Sequence, residues 1–65
     1  MSLYSPYRCE LIDSDGRTGA SVELPAGTDD DAILLGSSLE QAYPQCAGIE
    51  IREGNRLVYR RTGGA

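Results

Sequence analysis

The hydrophobic pattern of this chain changes period twice. Tyr7–Ile12 (YRCELI) alternates, with Tyr7, Cys9 and Leu11 on one face and Arg8, Glu10 and Ile12 on the other. Thr18–Leu24 keeps the two-residue period, setting Ala20, Val22 and Leu24 against Ser21 and Glu23. From Thr28 to Tyr43 the period lengthens. Ala32, Leu35, Leu39 and Ala42 recur at three- and four-residue spacing, flanked by Ile33 and Leu34. Alternation returns in Ile49–Glu53 (IEIRE) and Arg56–Arg61 (RLVYRR). The expected layout is ββαββ, an α+β fold in which a four-stranded antiparallel sheet carries one helix on one face.

The residues between these segments agree with their boundaries. Asp13-Ser14-Asp15-Gly16 reads as a turn, since Asp side chains bond nearby backbone and Gly16 tolerates positive φ. A calcium loop begins similarly, but Arg17 follows and the ligand spacing does not continue. Pro25-Ala26-Gly27 breaks the second strand. Thr28 is the expected N-cap, with Asp31 in the capping-box position and Asp29, Asp30 and Asp31 at the positive end of the helix dipole. Gly36, Ser37 and Ser38 are weak helix formers in mid-helix, so the helix depends on a sheet beneath its stripe. Pro44 ends it. Gly54-Asn55 signals a hairpin turn of the primed type. A three-residue Glu53–Asn55 loop pairs Ile51 with Leu57 and Ile49 with Tyr59. It gathers more apolar surface than a two-residue turn with Ile51 opposite Val58, and is the expected register. Residues 1–6 form a lead-in, 7–61 the single domain and 62–65 a tail.

One helix covers one face of such a sheet. The other face is expected to show Arg8, Glu10, Ile12, Ser21, Glu23, Glu50, Arg52 and Val58, a mixed polar surface that antiparallel sheets tolerate. The chain has 65 residues, four of them Tyr, with no Phe or Trp. A domain of this size buries only about 60% of the surface its open chain exposes. It therefore gains from a disulfide, a metal or a partner chain.

Charge narrows the function. Net charge is −4, with ten acids and six basic residues, all of them Arg. Residues 1–45 hold eight acids and two arginines; residues 46–65 hold two acids and four arginines. An acidic chain of this kind is not a default nucleic-acid binder, which needs clustered positive charge. Acidity confers solubility, and it also suits an acidic nucleic-acid mimic that inhibits a nucleic-acid enzyme. No apolar run approaches the length of a membrane span, and the N-terminus lacks the basic start and apolar core of a signal peptide. A cytoplasmic location without membrane attachment is expected.

The absence of His removes the usual general base, the Ser-His and Cys-His pairs and the commonest metal ligand. Cys9 and Cys46 are too few for a structural zinc site. A disulfide between them would close a loop of about 37 residues, contributing roughly 3–4 kcal/mol. Cytoplasmic thiols stay reduced, however, so Cys9 is read as a buried small hydrophobe and Cys46 as exposed. No phosphate-binding or dinucleotide-binding glycine pattern occurs. The expectation is a non-enzyme with no metal and no cofactor.

Arg52, Arg56, Tyr59, Arg60 and Arg61 form the candidate interaction surface. Alternation places Arg52 and Arg56 near each other across the last hairpin, Arg60 on the same side and Tyr59 beside them. That edge would suit an acidic partner or an RNA backbone. The favoured reading of it is an edge strand that charge protects from aggregation.

The strings YRCELIDSDGR, VELP, TDDDA and IEIREGNRLVYRR, which span nearly the whole chain, resemble those of short bacterial hairpin–helix–hairpin domains of unknown function. The resemblance implies the ββαββ fold and assigns no functional residue. The functional expectation is a small accessory protein that binds another protein, a second copy of itself (a homodimer) among the candidates. The alternatives are the acidic mimic and an RNA-binding module built on the arginine hairpin.

Overall fold

A computed structural model describes residues 6–62. Strands β1 (Tyr7–Ile12) and β2 (Thr18–Leu24) precede helix α1 (Asp29–Ala42), and β3 (Gly48–Glu53) and β4 (Arg56–Thr62) follow it. All neighbouring strands are antiparallel and the sheet order is β2-β1-β3-β4, so the two hairpins meet along β1 and β3. This is the expected ββαββ architecture. Thr62, expected in the tail, belongs to β4, where it pairs with Gly48. Residues 1–5 of the expected lead-in and 63–65 of the expected tail lie outside the described residues. Among the described residues no helix is long and apolar enough to cross a membrane.

The turns follow from local chemistry. The Asp13 carboxylate accepts from the backbone N–H groups of Asp15 and Arg17 at 2.9 and 3.0 Å, and Gly16 takes φ +85°. The Asp13 side chain is thus an internal turn clasp. At the second hairpin Gly54 has φ +59°, while no described non-glycine residue has positive φ. Glycine at the first central position of a two-residue turn is the type II′ signature. Thr28 caps α1, its hydroxyl accepting from the Asp31 N–H at 3.2 Å.

The inward face of the sheet holds Tyr7, Cys9 and Leu11 of β1, Leu24 of β2, and Ile49 and Ile51 of β3; Ala32 of α1 closes onto them. Cys9, Ala32, Ile49 and Ile51 are wholly buried. The helix is rotated from its expected orientation. Ala32 and Gly36 form its buried line, whereas Leu35 is 37% and Leu34 69% exposed and Ala42 is exposed. The reason is steric. The two isoleucines of β3 rise under mid-helix, and a Cβ at position 36 would lie 2.6 Å from Ile51 Cδ1 and 3.3 Å from Ile49 Cδ1. Gly36, unfavourable for the helix alone, lets α1 settle on the isoleucines. Cys46, expected to be exposed, is half-buried against the core.

The last hairpin differs from the expected register. Its turn has two residues, so Glu53 opposes Arg56 and Arg52 opposes Leu57. The pairing then shifts by one, and Ile51 opposes Tyr59 and Ile49 opposes Arg61. Val58 is the extra residue of a β-bulge. The bulge satisfies both demands that a regular hairpin sets against each other: the glycine turn keeps its geometry, and Tyr59 still reaches the core beside Ile51. A second irregularity opposes Gly19 and Ala20 to Leu11.

Candidate functional site

Two groups of charged side chains result, one on each side of the sheet. On the helix side, Asp29 at the start of α1 meets the last hairpin. Its carboxylate accepts from Arg56 Nη2 at 2.8 Å and Nη1 at 3.2 Å, and from the Tyr7 hydroxyl at 2.7 Å. Arg56 also donates to Glu53 through Nε at 3.0 Å. The bonds from Arg56 and then Tyr7 hold the Asp29 carboxyl below its ordinary range. Donation to Asp29 pushes the Tyr7 phenol up to about 12, and Asp29 and Glu53 together hold Arg56 more firmly protonated. At the far end of α1, Arg61 lies 3.8 Å from Glu40. These contacts join the helix to β1 and β4, and Arg56 ties that junction to Glu53 of β3.

Among the described residues no helix lies over the other side of the sheet. Two rows of side chains cross it in register. The first runs Glu23, Arg8, Arg52, Leu57 from β2 to β4, and the second runs Ser21, Glu10, Glu50, Arg60. Glu50 is the centre of this face and is only 7% exposed. Its carboxylate takes a close hydrogen bond from Arg52 Nε, and Arg60 Nε stands 3.8 Å away. Arg8 lies 3.6 Å from Glu10 on the same strand. Oppositely charged side chains therefore pair along each strand, while like charges sit side by side across β1 and β3: Arg8 by Arg52, Glu10 by Glu50. Ile12, expected to show on this face, is instead wholly buried at the end of β1, where it pairs with Thr18 and Gly48.

The predicted arginine surface is divided between the two sides. Arg52 and Arg60 share the open face around Glu50, whereas Arg56 and Arg61 turn to the helix side and pair with Asp29 and Glu40. Tyr59 packs against the core. The cause is the two-residue turn together with the bulge at Val58. The turn acts first, pairing Glu53 with Arg56 and Arg52 with Leu57, which sends Arg56 to the helix side and puts Leu57 in the place expected for Val58. The bulge then keeps Arg60 on the open side beside Arg52, away from Arg56. The rows on the open face were not singled out from the sequence, although their signal is there. Arg8-Cys9-Glu10 on one strand and Glu50-Ile51-Arg52 on its antiparallel neighbour have opposite order, which aligns like with like.

Burial pushes the Cys9 thiol up to about 11, with the nearby Cys46 and Glu40 adding to the effect. A buried thiol so hard to ionise is a poor nucleophile. A scan against protein-family models found no matching family, and searches of curated proteins and of solved structures found no match.

Proposed function

We propose that this chain is a small non-enzymatic interaction protein that binds a protein partner through the face of its sheet left open by α1, working in the cytoplasm without a cofactor. The observation that carries this reading is the pair of charged rows centred on Glu50. They form an ordered, cross-strand surface on the side of a four-stranded sheet away from the helix. The helix-side cluster has a sufficient role in joining α1 to the hairpins. Five carboxylates (Glu10, Asp29, Glu40, Glu50 and Glu53) already face arginines, and the chain has no His, which favours recognition over acid–base chemistry. Free thiols at Cys9 and Cys46 suit a reducing compartment. The arginines divide between two faces, and the acids occupy the first turn, the helix start and both sides of the sheet. No specific observation favours RNA binding or nucleic-acid mimicry.

Photo-cross-linking in the cells that make the protein tests this. A photoreactive residue at Ser21 or Leu57, at opposite edges of the open face, should give protein adducts. The same residue at Ser38, exposed on the helix, should not. Adducts from Ser38 alone would overturn the reading.

A further inference from the structure

We infer that the open face is completed by a second copy of this chain, stacked face to face about a two-fold axis that runs across the strands, between the arginine row and the glutamate row. The inference rests on the open face being the binding surface and names what occupies it.

The order of charges across the face identifies the occupant. Like charges directly opposite on neighbouring strands are unfavourable. Here they occur twice, between the two central strands, at Arg8–Arg52 and Glu10–Glu50. Within one chain the cost is offset by pairing along the strands. The result is a patch with two cations in one row and two anions in the next. A two-fold rotation about an axis parallel to the rows reverses strand direction and keeps the left-to-right order of strands. Arg8 of each copy then stands over Glu10 of the other, and Arg52 of each over Glu50 of the other. Glu23 meets Ser21, and Leu57 meets the aliphatic stem of Arg60. No like charges face each other. The competing two-fold axis, along the strands, sets Arg8 over Arg52 and Glu10 over Glu50, and electrostatics rejects it. The face is thus self-complementary in one stacking only, as an isologous interface requires.

Size sets the strength. Four strands about 4.8 Å apart and six residues at about 3.3 Å each give a face of about 400 Å² before side-chain relief. That is the small end of specific interfaces, where a standard partner buries about 800 Å². The association is therefore weak, concentration-dependent and reduced by salt.

Charge exchange at Arg8 and Glu10 tests it, because Arg8 is half-exposed and both are polar surface positions. Sedimentation equilibrium up to millimolar protein at low salt should show the wild type self-associating, and high salt should weaken it. Arg8→Glu sets a new carboxylate against the Glu10 of the other copy. Glu10→Arg sets a new guanidinium against the other copy's Arg8. Each clash occurs twice per dimer. Each single variant should lose about tenfold or more in association constant. The double variant Arg8→Glu with Glu10→Arg restores opposite charges at every contact and should associate like the wild type. An equimolar mixture of the two single variants should form a heterodimer tighter than either forms alone. Circular dichroism confirms that each variant is folded, and the double variant keeps the along-strand pair. A wild type that is monomeric at millimolar concentration overturns the second copy as occupant. So does a dimer that ignores both single variants. The broader reading then stands or falls separately: adducts to a different protein from Ser21 and Leu57 preserve it, and adducts from Ser38 alone end it.

Discussion

The closest approach of helix to sheet gives the sharpest stability prediction. Replacing Gly36 by Ala in an ordinary helix gains about 1 kcal/mol from propensity alone. Here the added methyl would lie 2.6 Å from Ile51 Cδ1, 3.2 Å from its Cγ1 and 3.3 Å from Ile49 Cδ1. Comfortable carbon contacts are about 3.5–4.0 Å. Both isoleucines are wholly buried, so relief requires Ile51 to leave its rotamer or α1 to lift from the core. Overpacking of this kind costs about 1–3 kcal/mol. Subtracting the propensity gain leaves Gly36→Ala destabilising by about 1 kcal/mol. Ile51→Val removes the Cδ1 that the methyl strikes, and alone costs about 1 kcal/mol. Combined, the methyl occupies the space that Cδ1 vacates while the helix keeps its propensity gain. The double variant should therefore lie near wild-type stability, with a favourable coupling of about 1–2 kcal/mol. Urea unfolding followed by circular dichroism measures all four species, and an unchanged m-value confirms that midpoints report stability. Gly36→Ala stabilising on its own, or additivity to within about 0.5 kcal/mol, would refute the close approach.

Other perturbations follow from the same geometry. A Cβ at Gly48 would run into the Arg61 carbonyl oxygen and lie 2.7 Å from Thr62 Cα, both backbone atoms that no rotamer change can clear. Gly48→Ala should cost about 3 kcal/mol in urea unfolding. Leu34→Ser and Leu35→Ser should stay within about 0.5 kcal/mol of wild type, since both leucines face solvent; a loss of 2 kcal/mol or more at Leu35, roughly a core-sized loss, would mean that the helix is rotated the other way. The Cys9 thiol ionises near 9 in an open chain and near 11 in the fold. Its contribution is therefore complete below pH 9 and is withdrawn as pH rises to 11, on the order of 2–3 kcal/mol. Thermal unfolding of Cys9→Ala should show a flatter decline over that interval. The Asp29 carboxyl, held low by Arg56 and Tyr7, acts in the opposite direction: its contribution is present above the ordinary carboxylate range and is lost as pH falls below it. Asp29→Asn should lessen the sensitivity to acid in the same scan.

The alternating segments, the capped helix and the two turns were legible because each is written locally, in periods of two or three to four and in residues suited to particular backbone angles. Most of the open face was legible too: Arg8, Glu10, Ser21, Glu23, Glu50 and Arg52 share it as alternation requires. Two features were not. The rotation of α1 is decided by the bulk of Ile49 and Ile51, some fifteen residues further along the chain, and a count of apolar spacing favours Leu35 over Gly36. The bulge at Val58 arises from competition between a glycine turn and the reach of Tyr59 to the core, and one extra residue moves Arg60 to the opposite side of the sheet from Arg56. The two-residue turn and the bulge together dispersed the expected basic edge, the first by sending Arg56 to the helix side and the second by holding Arg60 beside Arg52. The charged rows depend on strand order, which places β1 beside β3; only that adjacency makes the opposed Arg-x-Glu and Glu-x-Arg orders meaningful.

The working surface of this protein is proposed to be the sheet face that α1 leaves open. Paramagnetic quenching of backbone amide signals by a soluble agent tests it most directly. The chain is measured alone at low concentration and again in complex with the bound protein, a second copy or another chain. Protection should appear at Arg8, Glu10, Ser21 and Arg52, with Leu34 and Ser38 unchanged. Protection centred on Leu34 and Ser38, with the open face still quenched, would contradict the claim.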